Sequence, residues 1–414
     1  MATLPQITIY RPLETSPDDW VASLMAKNPP EGFHFLHQKK GCVFSMATLD
    51  KYIDNEERYG IQPLETPNDQ ALKTMSSGEQ KKALLTHLLQ MEPDFMVLVD
   101  PYDNLDTIST ERLKRYFHEL SKTMILIQII SRITAAFHFS TQFYAFHHTL
   151  LQPFTSVQEL HHYVLSTKNI QAITIPDPLF SPKTLGEELV SFHKVSVSFG
   201  NKKVLHQVDW TVKHGEFWHL VGPNGSGKST LLQMITGDST KAYGQEIYLF
   251  NKQKGTGESV WEIKKHLGYF TASMTTTFRG YDNLIHMLIA GLHDAIGLYV
   301  KPTETEIRLA MSWLRTIGLY PKREQQFRQL NEGEKRLLMT ARAMIKHPPL
   351  LILDEPAIGL DDRYTKLLVD LINTFAEKSK SALIYVSHKQ EKGLTPKYRL
   401  TLTPTPQGSK AKVG

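Results

Sequence analysis

The stretch GPNGSGKST, Gly222 to Thr230, lies between the apolar run Phe217 to Val221 and the helical pattern LLQMITG from Leu231. A strand, a glycine-rich turn and a helix in that order make a cradle for phosphate. Gly222, Gly225 and Gly227 let the chain through Pro223, Asn224 and Ser226 turn so that its N–H groups converge, and the following helix adds its positive end. Lys228 brings a charge to the β- and γ-phosphates, Ser229 offers a hydroxyl to Mg2+, and Thr230 closes the motif.

Downstream, LLILDEP ends an apolar run in two acids, Asp354 and Glu355. Asp354 suits Mg2+ held through water, and Glu355 suits a water that must be oriented or deprotonated, because phosphoryl transfer asks for positioning and charge neutralisation. After the apolar run SALIYVS comes His388, placed to reach the γ-phosphate. The expected ligands are therefore a nucleoside triphosphate and Mg2+, with Ser229 and Asp354 on the metal, Glu355 catalytic and His388 catalytic by its place in the motif order, where alone it would read as structural.

Two passages align without a gap at an offset of 255 residues: MSSGEQKKALLTHLLQMEPDFMVLVDPYDNLD from Met75 and LNEGEKRLLMTARAMIKHPPLLILDEPAIGLD from Leu330. Each reads as a polar turn, a helix, a Pro, a buried strand ending in acid, and a second helix. Strands alternating with helices predict a mostly parallel α/β sheet in each of two copies. The prolines of IPDPLFSPKTL from Ile175 mark the join. The expected boundaries are a first domain over 1–150, a linker over 151–188, a second domain over 189–404 and a disordered tail over 405–414.

Taken together, the phosphate loop, LNEGE, LLILDEP, IGLD and VSH in that order resemble an ABC-type nucleotide-binding domain, a P-loop NTPase fold. The likeness covers the whole second half, and two fused copies with IYLFNKQKGTGESVWEIKKHLGYF resemble more narrowly the photorepair and molybdenum-transport ATP-binding group. It implies an ATPase whose paired domains close on ATP, and it places Phe199 of VSVSFG where an aromatic stacks on adenine; without it, core packing competes. One departure is LGYFTAS, where Ala272 or Ser273 replaces the family's glutamine, a link to Mg2+, γ-phosphate and transmembrane partners. That weakens the alternative reading, the ATP-hydrolysing subunit of a membrane transporter.

The first half reads as a degenerate and truncated copy. The second phosphate loop begins 108 residues before its signature, and only 74 residues precede Met75, so equal spacing would put the first loop before residue 1. No GxxxxGK[ST] occurs upstream, Val99 replaces Asp354, Asp100 replaces Glu355, and Ser131 falls near the place of His388. What survives is the signature Met75-Ser76-Ser77-Gly78-Glu79, whose Ser and Gly the family presents to the γ-phosphate of the opposing domain. In the second copy it has become Leu330-Asn331-Glu332-Gly333-Glu334. Intramolecular pairing of the good loop with the good signature would give one composite site, with Ser76, Ser77, Gly78 and Glu79 completing it; a plain helix N-cap at Ser76 or Ser77 is the competing reading.

Composition narrows the remaining classes. With 47 basic and 42 acidic side chains the net charge is only +5, and the absence of a long Lys/Arg block argues against nucleic acid. Cys42 is the single cysteine, which excludes an intrachain disulfide and suits the reducing cytosol. The N-terminus lacks the pattern of a signal peptide, and no apolar run nears the ~20 residues of a membrane helix. The expected place is the cytoplasm or, through a permease or other protein partner, the inner face of the membrane. Eighteen histidines, His147-His148 and His161-His162 among them, show no metal-ligand spacing and are expected to be solvated.

Overall fold

A computed structural model describes all of the chain except residues 1–3, 13–14, 61–63, 67–69, 104, 148–149, 167–172, 181–185, 279–280 and 389. The chain forms two compact units: residues 1–169 with 359–363, and residues 170–358 with 364–414.

The first unit is built on β1 (Ile7–Tyr10), β2 (Gly41–Phe44), β3 (Phe95–Val99), β4 (Ile125–Ile130), β5 (Gln142–His147) and β6 (Leu150–Phe154). They form one sheet in the order β2-β3-β4-β1-β5-β6, parallel except for the antiparallel pair β5/β6. Every residue of β4 is buried, as the continuous apolar run requires of a central parallel strand covered on both faces. One face carries a core of Leu84, Leu88, Phe117 and Leu126, the other a core of Ile9, Phe33, Val97 and Ile127.

The second unit has two sheets. β7 (Glu188–Phe199), β8 (Lys202–Lys213), β10 (Glu246–Leu249) and β11 (Lys252–Gln253) make an antiparallel sheet in the order β11-β10-β7-β8. The others are β9 (Phe217–Val221), β12 (Leu267–Thr271), β13 (Leu350–Asp354), β14 (Ala382–Ser387), β15 (Tyr398–Thr403) and β16 (Lys410–Val413), in the order β12-β13-β14-β9-β15-β16. Trp210 and Val212 of the antiparallel sheet, Leu220 and Ile384 of the other, and Leu231 and Ile235 of the helix Lys228–Thr236 share one buried core. Each such aliphatic side chain contributes about 1.5–3 kcal/mol, which fixes the strand ends that carry the chemistry.

The two six-stranded sheets have the same strand order, and the register makes the residues equivalent. Asp100 N donates to Ile129 O, and Glu355 N donates to Val386 O. Tyr10 pairs with Ile130 and Val221 with Ser387, so β1 corresponds to β9 and Arg11 to Gly222. Equal spacing would put the first phosphate-loop strand before residue 1; it lies instead at Ile7–Tyr10 and continues into Arg-Pro-Leu-Glu-Thr-Ser-Pro, without a glycine. The first copy is short because its connections are short and because, among the described residues, it has no counterpart of the antiparallel sheet.

Two boundaries also move. Residues 150–154 form edge strand β6 and Val157–Ser166 a helix, so the first domain runs past residue 150. The expected linker over 151–188 thus begins within an edge strand, where Pro153, a residue without an N–H, is tolerated. The tail is ordered as well: Gly408, with φ 105°, and a Thr405–Gly408 turn send the chain back as β16 along β15. The prolines of TPTPQG sit before and within the turn, where they cost no ladder bond.

Candidate functional site

At the end of β9 the chain turns tightly. A Cβ on Gly222 would stand 2.5 Å from Ser226 Oγ and 3.0 Å from Leu402 O, so only glycine fits there. Gly225 and Gly227 have φ of 76° and 95°, and Gly227 is the N-cap of the helix Lys228–Thr236. Lys228 Nζ donates to the carbonyls of Gly222 (2.7 Å) and Pro223 (3.2 Å), which folds its charge over the loop. Among the described residues the buried Ser226 Oγ has no hydrogen-bond partner.

The order β13-β14-β9 brings the acids to the same edge of the sheet as the loop. Burial, and secondarily the neighbouring Glu355, push the Asp354 carboxyl up to about 6 against the pull of Lys228. Glu355 is held with φ 51°, a left-handed conformation that turns it off the strand end, and His388 Nδ1 lies 3.2 Å from its Oε2. A cavity of about 490 Å³ is lined by Asn224 to Thr230, Asp354, Glu355, Phe199, Lys202 and Val204. Phe199 is 48% exposed, which removes core packing as its role, and Lys241 Nζ lies 5.4 Å from its ring centroid.

These groups fit a small divalent cation bound with a polyphosphate. A buried carboxylate held high by desolvation gains from a cation, and the exposed Ser229 lines the same cavity. Among the described residues no cluster of three or more His, Cys, Asp or Glu could hold a metal by itself. The donor set is thus of the kind Mg2+ completes with water and phosphate oxygens. Ala272 N donates to Asp354 O at 3.2 Å, so the Ala272-Ser273 pair, one of which replaces the family's glutamine, begins beside Asp354.

The two signatures differ in what backs them. In the first unit, Ser76 caps the helix Ser77–Gln90 in a capping box, and its hydroxyl donates to Glu79 Oε2 at 2.6 Å. Ser76 is thus the N-cap, while Ser77 and Gly78 begin the helix half-buried. In the second unit, Asn331 caps the helix Glu332–Met344, its amide donates to Tyr364 OH at 3.1 Å, and the buried Glu334 pairs with Lys322 at 2.7 Å. A Cβ on Gly333 would fall 2.3 Å from the Tyr364 ring, whereas one on Gly78 would come no nearer than 3.1 Å, to Ser109 Oγ, with Ser109 Cβ and Leu105 Cδ2 at ordinary contact. Sequence reading missed Lys202 and Val204, which follow Phe199 across the β7/β8 turn, and Tyr364, which no motif marks.

The ABC transporter family profile matches residues 205–358, from β8 through the acids of β13. The ABC transporter ATP-binding protein ModF of Escherichia coli (strain K12) is 31% identical over 347 residues, 81% of this chain and 70% of that protein. The chain belongs to the family of ABC-type ATPases. An uncharacterized ABC transporter ATP-binding protein of Schizosaccharomyces pombe, C323.04, is 26% identical over 78% of this chain and 66% of its own length. An RNase-L inhibitor structure covers 99% of this chain with a TM-score of 0.65 at 15% identity, a likeness of fold that takes in both units of this ABC protein. Among the described residues no helix is long and apolar enough to cross a membrane.

Proposed function

We propose that this ABC ATPase binds one Mg–ATP at the second unit and hydrolyses it when the signature of the first unit completes the site. The convergence of Lys228, Ser229, Asp354 and Glu355 on one cavity carries this reading. In it the backbone from Gly222 to Thr230 and Lys228 hold the phosphates, Phe199 stacks on the base, and Ser229 and Asp354 hold the metal. Glu355 positions or deprotonates water, and His388 holds Glu355 and the γ-phosphate side in place. Ser76, Ser77, Gly78 and Glu79 act on the γ-phosphate from the first unit, and the second signature, with Glu332 in place of a small residue and Asn331 tied to Tyr364, stays idle. In domain terms the first unit serves as a degenerate partner and the second as the nucleotide-binding domain.

Calorimetry with a nonhydrolysable ATP analogue and Mg2+ is expected to give one equivalent per chain. Two equivalents would end the single-site reading. The names of the relatives favour a second reading, the ATP-hydrolysing subunit of a transporter, in which closure drives a permease. Co-fractionation with membranes that depends on a co-expressed permease would support it, and the replacement of the glutamine by Ala272 or Ser273 speaks against it. Otherwise closure drives a soluble partner in the cytoplasm.

A further inference from the structure

Arg11 begins the segment that stands in the first unit where the phosphate loop stands in the second, at the position equivalent to Gly222. Its Nη2 lies 2.6 Å from Asp100 Oδ2, with both side chains nearly buried, and its Nη1 donates to Thr15 O at 3.2 Å. The other Asp100 oxygen accepts from Ser131 N (2.7 Å) and Ser131 Oγ (2.9 Å). Both Asp100 oxygens are therefore engaged, by residues that follow two neighbouring strands. It shares with Glu355 the left-handed backbone, φ 41° against 51°, yet Glu355 faces a cavity and a histidine.

The fixed acid is joined to the signature. Just past Asp100, the carbonyls of Pro101 and Asp103 both accept from Lys81 Nζ, at 2.8 and 2.6 Å. Lys81 lies one turn into the helix that opens at Ser77. The second unit has the same latch, since Arg336 Nη1 reaches Glu355 O (3.4 Å) and Pro356 O (3.3 Å). What differs is the far end: an open acid there, an arginine salt bridge here.

We propose that Arg11 is a positioning residue for ATP hydrolysis, an internal cation that fixes the loop after Asp100 and, through Lys81, the helix presenting Ser76 to Gly78. It takes over in the first unit the ordering that a bound nucleotide would supply, so the signature stands ready with no nucleotide of its own. The inference rests on the composite-site reading above. Removing one member of a nearly buried ion pair leaves the other uncompensated, and here the uncompensated group is the acid from which the latch hangs.

The test uses the full chain, with Mg–AMP-PNP affinity and steady-state hydrolysis measured side by side for Arg11→Ala, Arg11→Lys, Asp100→Asn and the swap Arg11→Asp with Asp100→Arg. Arg11→Ala is expected to leave analogue affinity within about twofold and to lower kcat at least about tenfold, since binding belongs to the second unit and the defect to closure. Arg11→Lys and the swap should recover part of kcat. If Arg11→Ala fails to fold, Arg11→Lys and Asp100→Asn decide, a kcat loss at unchanged affinity in Asp100→Asn supporting the proposal. Unchanged kcat in the folded variants, or affinity and kcat falling together, overturns it. Gly78→Asp separates the two claims: if it abolishes hydrolysis while the Arg11 and Asp100 variants do not, only the positioning role falls, and if it has no effect the composite site falls with it.

Discussion

Glu355 and Asp100 occupy one backbone position in two copies of a sheet, and their surroundings decide what each can do. Glu355 lines the cavity with its carboxylate beside His388. Glu355→Gln removes that carboxylate while sparing the phosphate loop and Asp354, so ATP binding should persist and kcat should fall by about 10² or more. Pre-steady-state measurement of bound ATP and released phosphate checks it; unchanged turnover would move the role to another group, His388 first. Residues of this kind were legible because a phosphate cradle needs contiguous glycines and a lysine, and the acids must end a buried strand. Arg11 and Tyr364 were not, since their meaning lies in register and in what touches them across the sheet or behind a helix.

Elements were legible where their pattern is local. The aligned helix, strand and helix of each copy appear as Ser77–Gln90, β3 and Thr107–Leu120, and as Glu332–Met344, β13 and Asp362–Lys378. The phosphate-loop strand of the first unit was misplaced because connection length does not follow from repeat identity. A loop element of the second unit offers a test of its own. Glu258, on the segment after β11, pairs with the buried Lys254 at 2.8 Å and accepts from Gly255 N. Burial by itself would raise this carboxyl, but the ion pair with Lys254 and the backbone N–H groups bring it down to about 2. Its stabilisation is full above the ordinary carboxyl value of 4.5 and is lost as pH falls from there towards 2, at most about 3 kcal/mol by linkage. Denaturant unfolding followed by tryptophan fluorescence should show wild type losing up to about 1.4 kcal/mol per pH unit more than Glu258→Gln below that value. Parallel curves would mean that the pair is already formed in the unfolded ensemble or does not stabilise the fold.

For the whole molecule the question is whether one good loop works with one good signature in the same chain. Replacing Gly78 with Asp is sterically mild, because the new Cβ would be crowded by the Ser109 hydroxyl, which can turn away, and would otherwise make ordinary contacts with Ser109 Cβ and Leu105 Cδ2. In the composite-site reading the added carboxylate faces the γ-phosphate in a partly dry interface, where like-charge repulsion costs several kcal/mol, so ATP should still bind through Lys228 while hydrolysis is lost. The mirror substitution at Gly333 is a poor control, since its Cβ would lie 2.3 Å from the Tyr364 ring and the fold would have to give way. Glu332 is the better one: it is exposed at the start of its helix, paired with Lys335 one turn on, and Glu332→Lys reverses charge at the second signature without touching the core. Assayed together, Gly78→Asp should abolish hydrolysis and Glu332→Lys should leave it within about twofold. Loss only in Glu332→Lys would mean that second units of two chains pair with each other, and tolerance of both would mean that hydrolysis needs no signature from either unit.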